Sequence, residues 1–234
     1  MRFATVMLAL LALAIGCAFG PGPAPRPLAP MPARRDGVMA TGDAAYDGFF
    51  LRAAEVERKV AAAEAQQAAL HRPLALALDL SVEARAEDVV AALREVARQA
   101  ALSGARFTLV AGEPGPADRS DEPRLVQRSK APIEPRARLI LDATVETVRL
   151  ALTASAGWGA MRSEIDALRR EAEKLVAGVP KRFPTKRRGA RFGKAVVAEL
   201  QSRWLALGAQ AKRAAASSDA STSLVAQLRA ASST

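Results

Sequence analysis

Seven cations fall within fourteen residues of this 234-residue chain: Lys181, Arg182, Lys186, Arg187, Arg188, Arg191 and Lys194, with no acid among them. Residues 181–234 carry eleven basic and two acidic side chains, a net of +9 against +10 for the whole chain. Such a run can hold a polyanion or an anionic lipid surface. It can equally be a solvated connection whose cations face the negative C-terminal end of the preceding helix. Phe183 and Phe192 lie inside the run and could simply cap the end of a helical core.

The rest of the chemical inventory is short. One His and one Cys exclude a zinc cluster and any triad that needs a second His. His71, beside Arg72, reads as a cation at a helix C-terminus. Asp142 and Glu146 are four residues apart, a spacing that could do acid–base work or bind Ca²⁺. With no glycine-rich loop and no nucleophile beside them, they read as surface residues. Trp158 and Trp204 both fall on apolar seams and read as core. No phosphate loop, nucleophile elbow or metal motif is present. The expectation is therefore a protein that is not an enzyme and has no metal and no cofactor.

The N-terminus carries an address. Met1-Arg2 is a positive start, and Phe3 to Gly16 is fourteen residues without a charge. A spanning helix needs about 20 apolar residues, so this run has the layout of a secretory signal peptide instead. It ends at Ala14-Ile15-Gly16-Cys17. This resembles the bacterial lipobox, in which the Cys is lipidated and becomes the mature N-terminus. Ala14-x-Gly16 also fits an ordinary cleavage site, but the one Cys of the chain stands where a lipobox requires it. The resemblance covers residues 1–17. It implies a signal peptide over 1–16 and an exported protein held in the membrane through lipidated Cys17. Ala18 follows the Cys where Asp would resemble an inner-membrane retention signal. The expected location is thus the periplasmic side of the outer membrane in a Gram-negative cell. Lipid head groups, an envelope protein or an anionic envelope polymer are then the expected partners, rather than nucleic acid.

Residues 17–42 continue the reading as a tether, with six of the fourteen prolines favouring extended geometry. From Asp43 the pattern becomes helical. Tyr46, Phe49, Ala53, Val56, Val60, Ala63, Gln67 and Leu70 follow a 3,4 spacing, a heptad seam that Arg72-Pro73 should stop. Leu74, Leu76, Leu78, Leu80 and Val82 alternate with smaller or polar residues and predict a strand. The same Leu/Ala stretch is also compatible with helix. A helix over 87–102 with Gly104 at its end and a strand over 107–110 would complete a βαβ unit. Residues 112–136 read as a long loop, and 138–142 as a short third strand.

A helix over 145–176 follows, with a break at Gly157-Trp158-Gly159, a 3,4 seam on Trp158, Met161, Ile165, Leu168, Ala172 and Leu175, and a stop at Gly178-Val179-Pro180. The last helix should start near Gly193, with its seam on Val197, Leu200, Trp204, Leu207, Ala211, Ala214, Ser218, Ser221, Val225 and Leu228. Alanine makes up 54 residues, which favours close helix packing. The expected fold is mainly α: an antiparallel helical bundle or coiled-coil hairpin over 43–234, with a small α+β insertion at about 74–142. The expected role is that of a lipid-anchored envelope protein, structural or adaptor-like. The alternative is a binding module that uses the basic 181–194 segment.

Overall fold

The computed structural model describes residues 32–35, 37–110, 122–183 and 190–233. The protein is a mainly helical bundle with two small antiparallel β-hairpins. In chain order the elements are β1 (Ala33–Arg35), β2 (Val38–Ala40), α1 (Ala44–Gln67), α2 (Arg72–Ala77), α3 (Ala86–Leu102), β3 (Phe107–Val110), β4 (Arg124–Gln127), α4 (Pro135–Arg182) and α5 (Ala190–Ser232).

The spine is the pair α4 and α5, of 48 and 43 residues. At 1.5 Å per residue they run for about 72 and 65 Å. Contacts fix their directions. Trp204 meets Glu173, and Ser218 meets Ser155, so the two run antiparallel. Helix α1 lies across one half of the spine. Its Arg52 and Lys59, seven apart, pair with Glu171 and Glu164, seven apart in the opposite sense. Its Glu57 and Glu64 pair with Arg203 and Arg213 in the same sense. Thus α1 is antiparallel to α4 and parallel to α5.

One core cluster joins Tyr46, Phe49, Phe50, Val56 and Val60 of α1 to Trp158, Ile165, Leu168, Leu200 and Leu207. A second joins Leu74, Val89, Leu93 and Leu109 to Ile140, Val148 and Leu228, so the 72–127 elements cover the other half of the spine. Between them lies a polar layer. The Gln67 side-chain oxygen accepts from Trp158 Nε1 at 3.2 Å and from Ser221 Oγ at 2.8 Å. This one amide ties three helices together at the point where α1 ends.

Several sequence expectations are corrected. Residues 74–82 are not a strand: α2 is a helix with Pro73 in its first turn, where the missing N–H costs nothing. Leu74 and Ala75 are both fully buried, which alternation across a strand would forbid. The helix ends with Asp79 in the left-handed region (φ 58°), while Leu80 N–H donates to Ala75 O and Asp79 N–H to Leu76 O. That pair of bonds is a Schellman termination. Strand β3 falls where expected, and Gly104 (φ 84°) ends α3 as expected. Its partner, however, is β4 in antiparallel register, Phe107 opposite Gln127 and Val110 opposite Arg124. There is no βαβ unit among the described residues, and the expected 112–136 loop supplies β4 and the first two residues of α4.

The expected third strand over 138–142 is the first turns of α4, which starts at Pro135. Nor does α4 break at Gly157 and Gly159; it is helical from Pro135 to Arg182. Trp158 fills the core between these glycines, and helical bonding on either side carries the backbone through. Pro180 does not stop the helix either. It removes only the N–H that would bond to Val176 O, and the Tyr46 hydroxyl supports the same region by donating to Leu175 O at 3.0 Å. Finally, β1 and β2, within the expected tether, pair antiparallel with Arg35 opposite Val38. The signal was the Asp36-Gly37 dipeptide, with Gly37 at φ 76°.

Six of the ten expected α5 seam residues, Leu200, Leu207, Ala214, Ser221, Val225 and Leu228, are buried, while Val197, Trp204, Ala211 and Ser218 are only partly so. A further column, Val196, Gln210 and Leu224, is buried beside them. Helix α5 packs against α4, α3 and α1, so its apolar stripe is wider than a two-column coiled-coil seam. Gln210 is a cost of that wider burial: it is 3% exposed and its side-chain oxygen has no hydrogen-bond partner. Replacing a buried orphan acceptor by an apolar chain of similar shape removes a desolvation penalty of about 1–3 kcal/mol. Gln210→Met is expected to raise stability by about 1 kcal/mol, read from urea melts; a loss would mean that the amide is satisfied.

Candidate anion-facing end of the bundle

The C-terminal end of α4, the start of α5, the N-terminus of α1 and the β1–β2 hairpin meet at one end of the bundle. The Phe183 ring stands 4.9 Å from Tyr46, edge-on, and 5.4 Å from Phe192. Met39 and Val38 of β2 pack on the same cluster. These rings therefore close the end of the core, as one sequence reading had it. Burial, with Asp43 nearby, raises the Tyr46 pKa, so its hydroxyl stays protonated and keeps its bond to Leu175 O.

Of the seven cations singled out by sequence, four lie among the described residues. Lys181 and Arg182 occupy the last turn of α4, and Arg191 and Lys194 the first turn of α5. All four are exposed. Lys186, Arg187 and Arg188 lie outside the described residues, as does Cys17. Arg182 reaches Asp43 only at 3.8 Å. Arg34, which sequence reasoning missed, adds a fifth exposed cation to this end and pairs with Glu199 at 2.9 Å.

The acids here point inward. Asp43 caps α1 by accepting from Ala45 N–H at 3.0 Å. Asp47 takes hydrogen bonds from Thr41 N–H, Thr41 Oγ and Gly42 N–H at 2.6, 2.8 and 3.1 Å. Glu199, 10% exposed, is shared by Arg34 and Arg203. Arg203 in turn clamps Glu57, and those two carboxylates outweigh burial to raise its pKa. These acids also hold backbone or inter-helix contacts, while Lys181, Arg182, Arg191 and Lys194 are exposed and Arg182 and Arg34 reach Asp43 and Glu199.

The other residues of chemical interest separate. His71 is not a free helix-end cation: its Nε2 lies 2.7 Å from Ala84 O and links the α1–α2 turn to the start of α3. Asp142 pairs with Arg138 and Glu146 with Arg149, so the two carboxylates do not act together. Trp158 is buried. Trp204, expected in the core, lies at its edge, with Nε1 on Glu173 and the Arg169 guanidinium 4.5 Å from its ring centre. It stands between two open grooves of about 520 and 570 Å³ on the α4–α5 face, beside exposed Leu205. A third groove of about 610 Å³, between α3 and the start of α4, has Glu95 at its rim. Hydrogen bonds from Arg98, then Gln99, hold that carboxyl down at about 2, so it is already engaged.

Among the described residues, no group of three His, Cys, Asp or Glu side chains could hold a metal ion. No helix among them is long and apolar enough to cross a membrane. The arrangement is that of a helical bundle with a cationic end. Comparison with protein families, curated proteins and solved structures finds no match to this chain.

Proposed function

We propose that this chain is a lipid-anchored cell-envelope protein, structural or adaptor-like in role and without catalytic activity. The observation that carries the reading is the position of Cys17, the one cysteine of the chain, at the end of an uncharged fourteen-residue run. The diacylglycerol and N-acyl chains implied by the lipobox resemblance hold a protein stably where one chain would not. The expected location is the periplasmic side of the outer membrane in a Gram-negative cell. The seven-residue steps of the α1–α4 ion pairs support a finer reading, a coiled-coil-like hairpin with α1 laid along it. Such a rod suits spacing or docking.

The experiment is Cys17→Ser. The unsubstituted protein is expected to stay with membranes after a high-salt wash and to incorporate radiolabelled palmitate. The variant should lose the label and either appear in the soluble exported fraction or stall before processing. Equal membrane retention of both forms, with no palmitate on either, would exclude the anchor.

A second reading is favoured by the excess of exposed cations, Arg34, Lys181, Arg182, Arg191 and Lys194, over Asp43, Asp47 and Glu199 at this end. In it the protein holds an anionic surface through the segment 181–194. The two readings are compatible, since an anchored domain can also grip the surface it stands on.

A further inference from the structure

We infer that the end of the bundle carrying Lys181, Arg182, Arg191 and Lys194 rests on an anionic phospholipid bilayer, so that the 72–127 half of the molecule points away from it. This rests on the second reading above and adds which face binds, what it binds and how the rod is oriented.

Four observations lead there. First, the cations come from two helix ends that the Phe183–Phe192 contact brings together, so they form one face. Second, the five exposed cations described at that end, Arg34, Lys181, Arg182, Arg191 and Lys194, outnumber its three acids, Asp43, Asp47 and Glu199, which leaves the field outside positive. Third, helix stability does not explain the charges. Lys181 and Arg182 suit the negative end of α4, but Arg191 and Lys194 sit at the positive end of α5, in a first turn that holds no acid. A feature that opposes local stability is the kind that function retains. Fourth, the chain enters the described fold at this same end. Residue 32 lies fifteen positions after Cys17, and fifteen residues of any chain reach at most about 54 Å at about 3.6 Å each. That is less than the length of α4, so an anchor at Cys17 would keep this end nearest the bilayer. The aromatic rings of the face are turned into the core, so the contact is electrostatic and does not involve insertion.

The test uses the full chain with Cys17→Ser and sized vesicles of pure phosphatidylcholine or phosphatidylcholine with phosphatidylglycerol. The apolar run 3–16 partitions into both, so the ratio of the two affinities reads charge alone. A ratio well above ten at low salt, collapsing toward one in 1 M salt, is expected. The set Lys181→Gln, Arg182→Gln, Arg191→Gln and Lys194→Gln should lower that ratio at least tenfold, since each cation near an anionic surface contributes about fivefold. The set Arg72→Gln, Arg94→Gln, Arg106→Gln and Arg128→Gln, exposed cations on the other half, should leave it within about twofold. Equal losses from both sets would mean that net charge alone acts and would overturn the inference while leaving an anionic surface as partner. No salt-sensitive ratio in the starting protein would sink both. Acylation of lysine amines needs none of these substitutions. Lys181 and Lys194 should be protected by anionic vesicles and Lys130 should not. The opposite pattern, or uniform protection of a rod lying flat, would overturn the orientation.

Discussion

Trp158→Ala is expected to cost about 3–5 kcal/mol, the range for truncating a buried Trp. Trp158 is 2% exposed at the centre of the α1–α4–α5 core. Its removal opens a cavity that long helices cannot collapse to fill, and it deprives Gln67 of its indole donor. Against a typical domain stability of about 5–15 kcal/mol, the variant should lose a large part of its resistance to urea. Trp204→Ala should cost only about 1–2 kcal/mol, because the ring is only partly buried at the edge of the core and its specific contacts are Glu173 on Nε1 and the Arg169 guanidinium over the ring. Urea melts followed by helix signal measure both. A larger loss at Trp204 than at Trp158 would mean that the α4–α5 face with its two grooves is covered in solution.

The second large effect concerns the middle of α4. Gly157→Pro is expected to cost about 3 kcal/mol or more, because it places a ring and a missing N–H inside a continuous 48-residue helix. Gly157→Ala and Gly159→Ala should do the reverse, each adding about 1 kcal/mol. No heavy atom lies within 4 Å of a Cβ built at either position. The pair of outcomes separates a helix from a hinge. If the chain were broken there, proline would be tolerated and alanine would gain nothing; calorimetric melts of the three variants decide it.

The heptad seams of α1 and of the second half of α4 were legible because burial along a long helix repeats every three or four residues whatever the partner is. Tyr46, Phe49, Ala53, Val56 and Val60, and Trp158, Ile165, Leu168 and Ala172, are buried as that spacing requires. The strand at 107–110 and the glycine stop at 104 were legible for the same local reasons. At the candidate site, the sequence showed which cations cluster, because charge density is a one-dimensional property. It could not show which carboxylates would oppose them. Asp43 and Asp47 look like neutralising partners in the chain, yet their oxygens are taken by backbone N–H groups of the hairpin and the first turn of α1.

Where local signals conflicted, packing decided. The Leu/Ala alternation of 74–82 and the Gly-Trp-Gly of 157–159 each allow two backbones at nearly equal local cost. Burying Leu74 with Ala75, and Trp158 in the core beside Gln67, selects the helix in both. The choice between Trp158 and Trp204 was likewise beyond any periodicity, since both sit on apolar seams. Trp158 on α4 faces the end of α1, where its Nε1 meets Gln67, whereas Trp204 on α5 lies at the α4–α5 rim with its Nε1 on Glu173. By itself the sequence determined a basic, alanine-rich, helical chain with its apolar residues in register. Only the tertiary structure decided which residues share an end, because proximity between Asp43, Phe183 and Lys194 is a property of three helices meeting and of no single stretch.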